Sequence, residues 1–219
     1  MDHITSHNWK LLLLAGAMVG FLAWPGTSEA QTVTGQASAV TATVLGMTTT
    51  LADTGTLGGT SDVRDADQLT GSVPSLLTGE ALGAATIGYP DQVDSEASLA
   101  SLGMTVAGTG ISADFVMARA TSVLGGASIG LTNIGGLTID GVPVFPTGDP
   151  NQTISLGLLN IVLNEQIPSA GGMTVNALHV STIDGLTNVV IGSATAGVSS
   201  SGSTPGGGGG ILPPLPPLF

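Results

Sequence analysis

The chain has 219 residues, 34 of them glycine, with three basic and fifteen acidic side chains and a net charge of −12. That balance excludes nucleic acid as a partner, because phosphate binding needs several Lys or Arg on one surface, and it disfavours anionic membrane surfaces likewise. Cysteine is absent, so packing and backbone hydrogen bonds alone must hold the fold; positive mean hydropathy with only 8% charged residues is the reverse of a disordered composition.

Residues 1–30 read as a secretory signal peptide. A mildly basic start ends at Lys10, an apolar run covers 11–24, Pro25-Gly26 breaks it, and Ser28 and Ala30 supply small residues for cleavage before Gln31. The run is short for a bilayer span, so cleavage is expected to leave no stable transmembrane segment and to deliver the protein outside the cytoplasm. Both tryptophans, His3 and His7 leave with it, and the remainder carries two basic and thirteen acidic residues. Residues 31–198, about 170 in all, can bury about 70% of their unfolded surface, enough for a single domain.

That body is rich in Thr, Val, Ile, Ala and Gly and poor in helix formers, which predicts strands over 32–51, 75–87, 97–106, 111–123, 153–167 and 172–176. Ile111, Ala113, Phe115 and Met117 stand at period two and predict one apolar face. Two hairpins are expected: 137–139 and 142–144 around Asp140-Gly141, and 178–183 and 186–191 around Asp184-Gly185. Pro143 argues for an edge strand or an early strand end. The pairs Gly58-Gly59, Gly125-Gly126, Gly135-Gly136 and Gly171-Gly172 read as loop ends or bulges. The expected class is all-β, an antiparallel β-sandwich or partly closed barrel. A β-solenoid competes, but no sustained repeat supports it.

From Ser199 the composition turns to Ser, five consecutive glycines and a proline-rich apolar tip over 211–219, which reads as a disordered tether. Pro213 and Pro216 have PxxP spacing without a flanking Arg, so a spacer or weak surface contact is the reading.

Candidate chemistry is sparse. Gly126-Ala127-Ser128-Ile129-Gly130 matches the G-x-S-x-G nucleophile elbow, followed by Asp140 or Asp149 and then His179, the chain order of an α/β-hydrolase. The elbow requires a strand-to-helix turn, however, and no helix is predicted there. Asp62, Asp65 and Asp67, and separately Asp91, Asp94 and Glu96, form acidic loops without the spacing of a defined calcium loop. Glu165 sits in an apolar stretch and is expected to pair across strands with Arg119. Asn151-Gln152-Thr153 matches a glycosylation sequon but reads as a turn after Pro150. Thr41, Thr43 and Thr48-Thr49-Thr50 raise glycan or ice binding, without the regular period of a stacked Thr surface and with few aromatics.

The ordered series Ala37-Ser38-Ala39-Val40, Leu51-Ala52-Asp53-Thr54-Gly55, Ile111-Ser112-Ala113-Asp114, Ala118-Arg119-Ala120-Thr121, Gly136-Leu137-Thr138-Ile139-Asp140-Gly141, Pro150-Asn151-Gln152-Thr153, Asn164-Glu165-Gln166, Val175-Asn176-Ala177-Leu178-His179-Val180 and Val189-Val190-Ile191-Gly192-Ser193-Ala194 resembles the bacterial choice-of-anchor P family over about residues 35–198. The resemblance implies an exported β-rich body. This chain has neither a Leu-Pro-x-Thr-Gly sorting motif nor an apolar span followed by basic residues in its tail. Taken together, the expectation is an exported, non-catalytic structural or surface-interaction protein meeting cell-envelope or extracellular components, with no cofactor, metal or catalytic residue assigned. A secreted hydrolase using Ser128 and His179, and a glycan- or ice-binding module, are the alternatives.

Overall fold

The computed structural model describes residues 31–200; the expected signal peptide and nearly all of the expected tether lie outside them. The described chain forms β1 (Gln31–Val44), β2 (Met47–Asp53), β3 (Val63–Val73), β4 (Leu77–Gly88), β5 (Gln92–Val106), β6 (Thr109–Val123), β7 (Ile129–Gly135), β8 (Thr138–Ile139), β9 (Val142–Pro143), β10 (Gln152–Leu156), β11 (Leu159–Ser169), β12 (Gly172–Thr182) and β13 (Thr187–Ser200). They build two antiparallel sheets. One has the order β10-β11-β12-β13-β1-β2; the other runs β3-β4-β5-β6-β8-β9, with β7 also on β6. The architecture is an all-β sandwich, not a closed barrel.

Several boundaries differ from the sequence expectation. The 32–51 stretch is a hairpin, turned at Leu45 (φ 51°) and Gly46 (φ 81°), because a two-residue turn of this hand needs positive φ at both positions. Residues 153–167 likewise fold back at Gly157 (φ 56°), whereas 172–176 and 178–183 merge into β12. The Asp140-Gly141 turn is two-residue as expected, with φ of 49° and 75° and Ile139 opposite Val142, and Pro143 lies on an edge strand. The Asp184-Gly185 connection is longer: β12 ends at Thr182 and β13 begins at Thr187. β13 also continues through Ser199 and Ser200, which pair with Thr32 and Gln31, so the body extends two residues into the expected tether.

One irregularity crosses both sheets. In the six-stranded sheet the ladder skips Asn164, Ala177, Gly192, Ala39 and Ala52, one residue in each strand from β11 to β2, and resumes in unshifted register. Asn164, Gly192 and Ala52 there have φ of 51°, 63° and 46°. In the other sheet Ala81 (φ 46°), Ser101 (φ 52°) and Gly136 (φ 66°) mark the same interruption, with a bulge between β4 and β5. At this line the two-residue alternation of side chains inverts. The buried series jumps by three, from Ala113 to Val116, Leu99 to Leu102 and Ile191 to Ala194. The expected Ile111-to-Met117 face is therefore corrected: Ile111 and Ala113 are buried, but Phe115 is 38% exposed, because the strand turns over at Asp114.

The line also gathers most of the core's alanines on one side, alongside Leu82, Val93, Leu99 and Val116. On one side the sheets meet through Leu102, Met104, Ile111, Leu159, Ile161, Leu178, Val180 and Val189; on the other through Ala37, Ala84, Ala97, Ala118, Ala120, Ala194 and Ala196. Small side chains bring the Ala-rich halves close enough for direct polar stitching. Ser95 Oγ donates to Thr195 O at 2.7 Å, Ser122 Oγ to Gly171 O at 2.9 Å, and Gln166 Nε2 to Gly130 O at 3.3 Å. Buried hydroxyls are thereby paired, as burial demands.

Candidate functional site

The outer face of the six-stranded sheet carries an ordered polar surface. Register sets Ser155, Asn160, Ser181, Asn188, Thr43 and Thr48 side by side, one from each strand from β10 to β2. Their neighbours along each strand are core residues such as Ile154, Ile161, Val180, Val189 and Ala42, so alternation turns all six outward. A second row holds Thr153, Val162, His179, Val190, Thr41 and Thr50. Thr43 and Thr48 hydroxyls meet at 2.8 Å. The two rows present hydroxyls, amides and methyls, with His179 as their single titratable group.

Beside these rows the inverted alternation forms a polar crease. Glu165 Oε2 accepts from Asn176 Nδ2 at 2.6 Å and from His179 Nδ1 at 2.9 Å. Ser193 Oγ donates to Asn176 Oδ1 at 2.7 Å, and His179 Nε2 lies 3.0 Å from Asn188 Oδ1. A carboxylate only accepts, so Nδ1 carries a proton; the orientation of the Asn188 amide then follows the charge of the ring. Glu165 thus pairs with His179 and not with Arg119, which belongs to the other sheet and reaches Asp94 at 3.8 Å. The sequence showed both charges but not which sheet each would join.

The hydrolase constellation is not brought together. Ser128 Oγ bonds Ser122 Oγ at 3.0 Å, β7 follows it where the elbow needs a helix, and both ring nitrogens of His179 are engaged elsewhere. The depression that Ser128 lines, about 390 Å³, is bordered by Gly130, Gln166, Met173 and Asn164 and offers no titratable side chain. Asp140 accepts from the Gly110 amide at 2.8 Å, and the amide of Asp149 donates to Thr147 Oγ1. A larger trough of about 870 Å³ has the in-register row Ser72, Thr78, Gly103, Ser112 and Thr138 as its floor; it too lacks an acid or base.

The acidic clusters are only partly loops: Asp62 and Asp91 lie in the connections before β3 and β5, and the rest lie in strands. Asp65 and Asp67 lie in β3, Asp94 and Glu96 in β5, and register gathers Asp65, Asp67 and Glu96 around Gly83 and Ala85. Asp94 accepts from Thr121 at 2.6 Å and Gln92 at 2.5 Å. Asp62 accepts from the Gly58 amide and from Arg64 Nε, and those two bonds, the amide first, hold its carboxyl below the usual range. Among the described residues no three His, Cys, Asp or Glu side chains are placed to hold a metal ion.

The fold and this face define a cysteine-free β-sandwich whose outer sheet carries hydroxyl-rich rows beside a Glu165–His179 crease. Comparison with protein-family models, curated proteins and solved structures found no match to the chain.

Proposed function

We propose that this is an exported, non-catalytic structural or surface-interaction protein of the bacterial cell envelope or extracellular space, and that it makes contact through the outer face of its six-stranded sheet. The observation that carries the reading is the registered row Ser155, Asn160, Ser181, Asn188, Thr43 and Thr48, which spans all six strands without a charge. A neutral row rich in donors and acceptors suits hydroxyl-rich or amide-rich surfaces and repels neither sign of charge. The leader-like residues 1–30 and the resemblance to choice-of-anchor P proteins support export.

The separation of Ser128 from His179, and the lack of a base beside Ser128, favour a non-catalytic body over a hydrolase. Sheet twist of about 20–25° per strand works against the flat lattice that ice binding needs. The test is retention of the purified protein on insoluble envelope material or polysaccharide, compared with a Thr43→Lys/Ser181→Lys variant, alongside an esterase screen. Retention lost in the variant supports the reading. Esterase activity that disappears in both Ser128→Ala and His179→Ala would overturn it.

A further inference from the structure

We infer that the free edge of β2 pairs with β2 of a second copy of this chain, joining two six-stranded sheets into one continuous sheet. β2 is the uncovered end of its sheet, and Met47, Thr48, Thr49 and Thr50 are all exposed. Charge and proline block strand addition at two other edges: β3 has Arg64, Asp65 and Asp67, and β9 is two residues long and ends in Pro143. β10 has five residues, and on β7 the Gly130 carbonyl is already taken by Gln166. β2 has none of these, and its only charge is Asp53 at the far end.

The register selects the mode of pairing. The two-residue turn makes Val44 and Met47 a hydrogen-bonded pair, and alternation then directs the amides and carbonyls of Thr49 toward β1 and those of Thr48 and Thr50 away from it. A two-fold axis at Thr49 sets Thr48 of each copy opposite Thr50 of the other, so that all four outward groups on each strand's pair of threonines find partners. The hydroxyl rows then run on from Thr43 and Thr48 of one copy into Thr50 and Thr41 of the next. Asp53 falls opposite Leu45, so no two carboxylates face each other. The contact depends only on this edge and stands or falls independently of export and of what the outer face binds.

An edge contact this small gives weak association, to be read by sedimentation velocity of the purified full chain from about 10 μM to about 1 mM. The mass is expected to rise toward the dimer with concentration, and more so at higher salt, which screens the acidic bodies. Thr50→Pro removes an outward amide without touching the β1 ladder and should hold the protein monomeric at an unchanged Tm. Thr50→Lys, which keeps the backbone intact, should weaken association tenfold or more. A wild-type protein monomeric across the range, or association that persists in either folded variant, overturns the inference.

Discussion

Asn176 and His179 stand three residues apart on one strand, yet both reach the same carboxylate oxygen of Glu165. In an uninterrupted strand such residues point to opposite faces; here the ladder turns over at Ala177 and brings them to one. Asn176 is buried, so Glu165→Ala leaves its amide without an acceptor and should cost about 1–3 kcal/mol in urea denaturation. Arg119→Ala breaks only a long, exposed contact and should cost less than about 1 kcal/mol. Coupling in a double-mutant cycle is expected between Glu165 and His179 and not between Glu165 and Arg119.

The same line places a glycine, Gly192, at a positive φ. A Cβ on Gly192 would stand 3.4 Å from the Ala118 nitrogen and 3.5 Å from the Ala97 carbonyl, at a φ of +63°. Those are ordinary contacts, so left-handed strain alone should destabilise Gly192→Ala by about 1–2 kcal/mol.

Ala81 and Ser101 invert that logic. Both are exposed residues held at positive φ, where glycine relieves strain. Ala81→Gly and Ser101→Gly should each raise stability by up to about 1 kcal/mol, although glycine normally weakens a strand. Ala52→Gly should gain less, because Ala52 is buried and its methyl contributes about 0.8 kcal/mol.

Asp62 titrates below the usual carboxylate range because the Gly58 amide, and after it Arg64, favour the charged form. A folded pKa below the unfolded one means that its contribution is present above the unfolded pKa and is lost as pH falls through the folded value. Arg64→Gln should raise the Asp62 midpoint only part of the way in an NMR titration, since the amide remains. A complete return to the ordinary value would show the guanidinium to be the dominant cause.

Fold class was legible in the sequence because β-branched residues, Asp140-Gly141 and the absence of helix formers all point one way. What stayed hidden follows from the inversion line. Period-two reading carried Ile111 and Ala113 correctly inward and then failed at Phe115, since nothing in Ala113-Asp114-Phe115 announces a strand that turns over. Leu45 at positive φ concealed the β1–β2 turn in the same way. β3 was missed because its Asp65, Asp67, Gln68 and Thr70 are outward or edge residues with little apolar signal. The Glu165 cluster was half visible: Glu165 and His179 each stood out, but they lie fourteen positions apart and only the β11–β12 register joins them.

The most direct test of the central claim is the intact mass and location of the protein made by its own cells. Exported function predicts material at the cell surface or in the medium that begins at Gln31 and lacks residues 1–30. Full-length chain retained in the cytoplasm or held in membranes would contradict it.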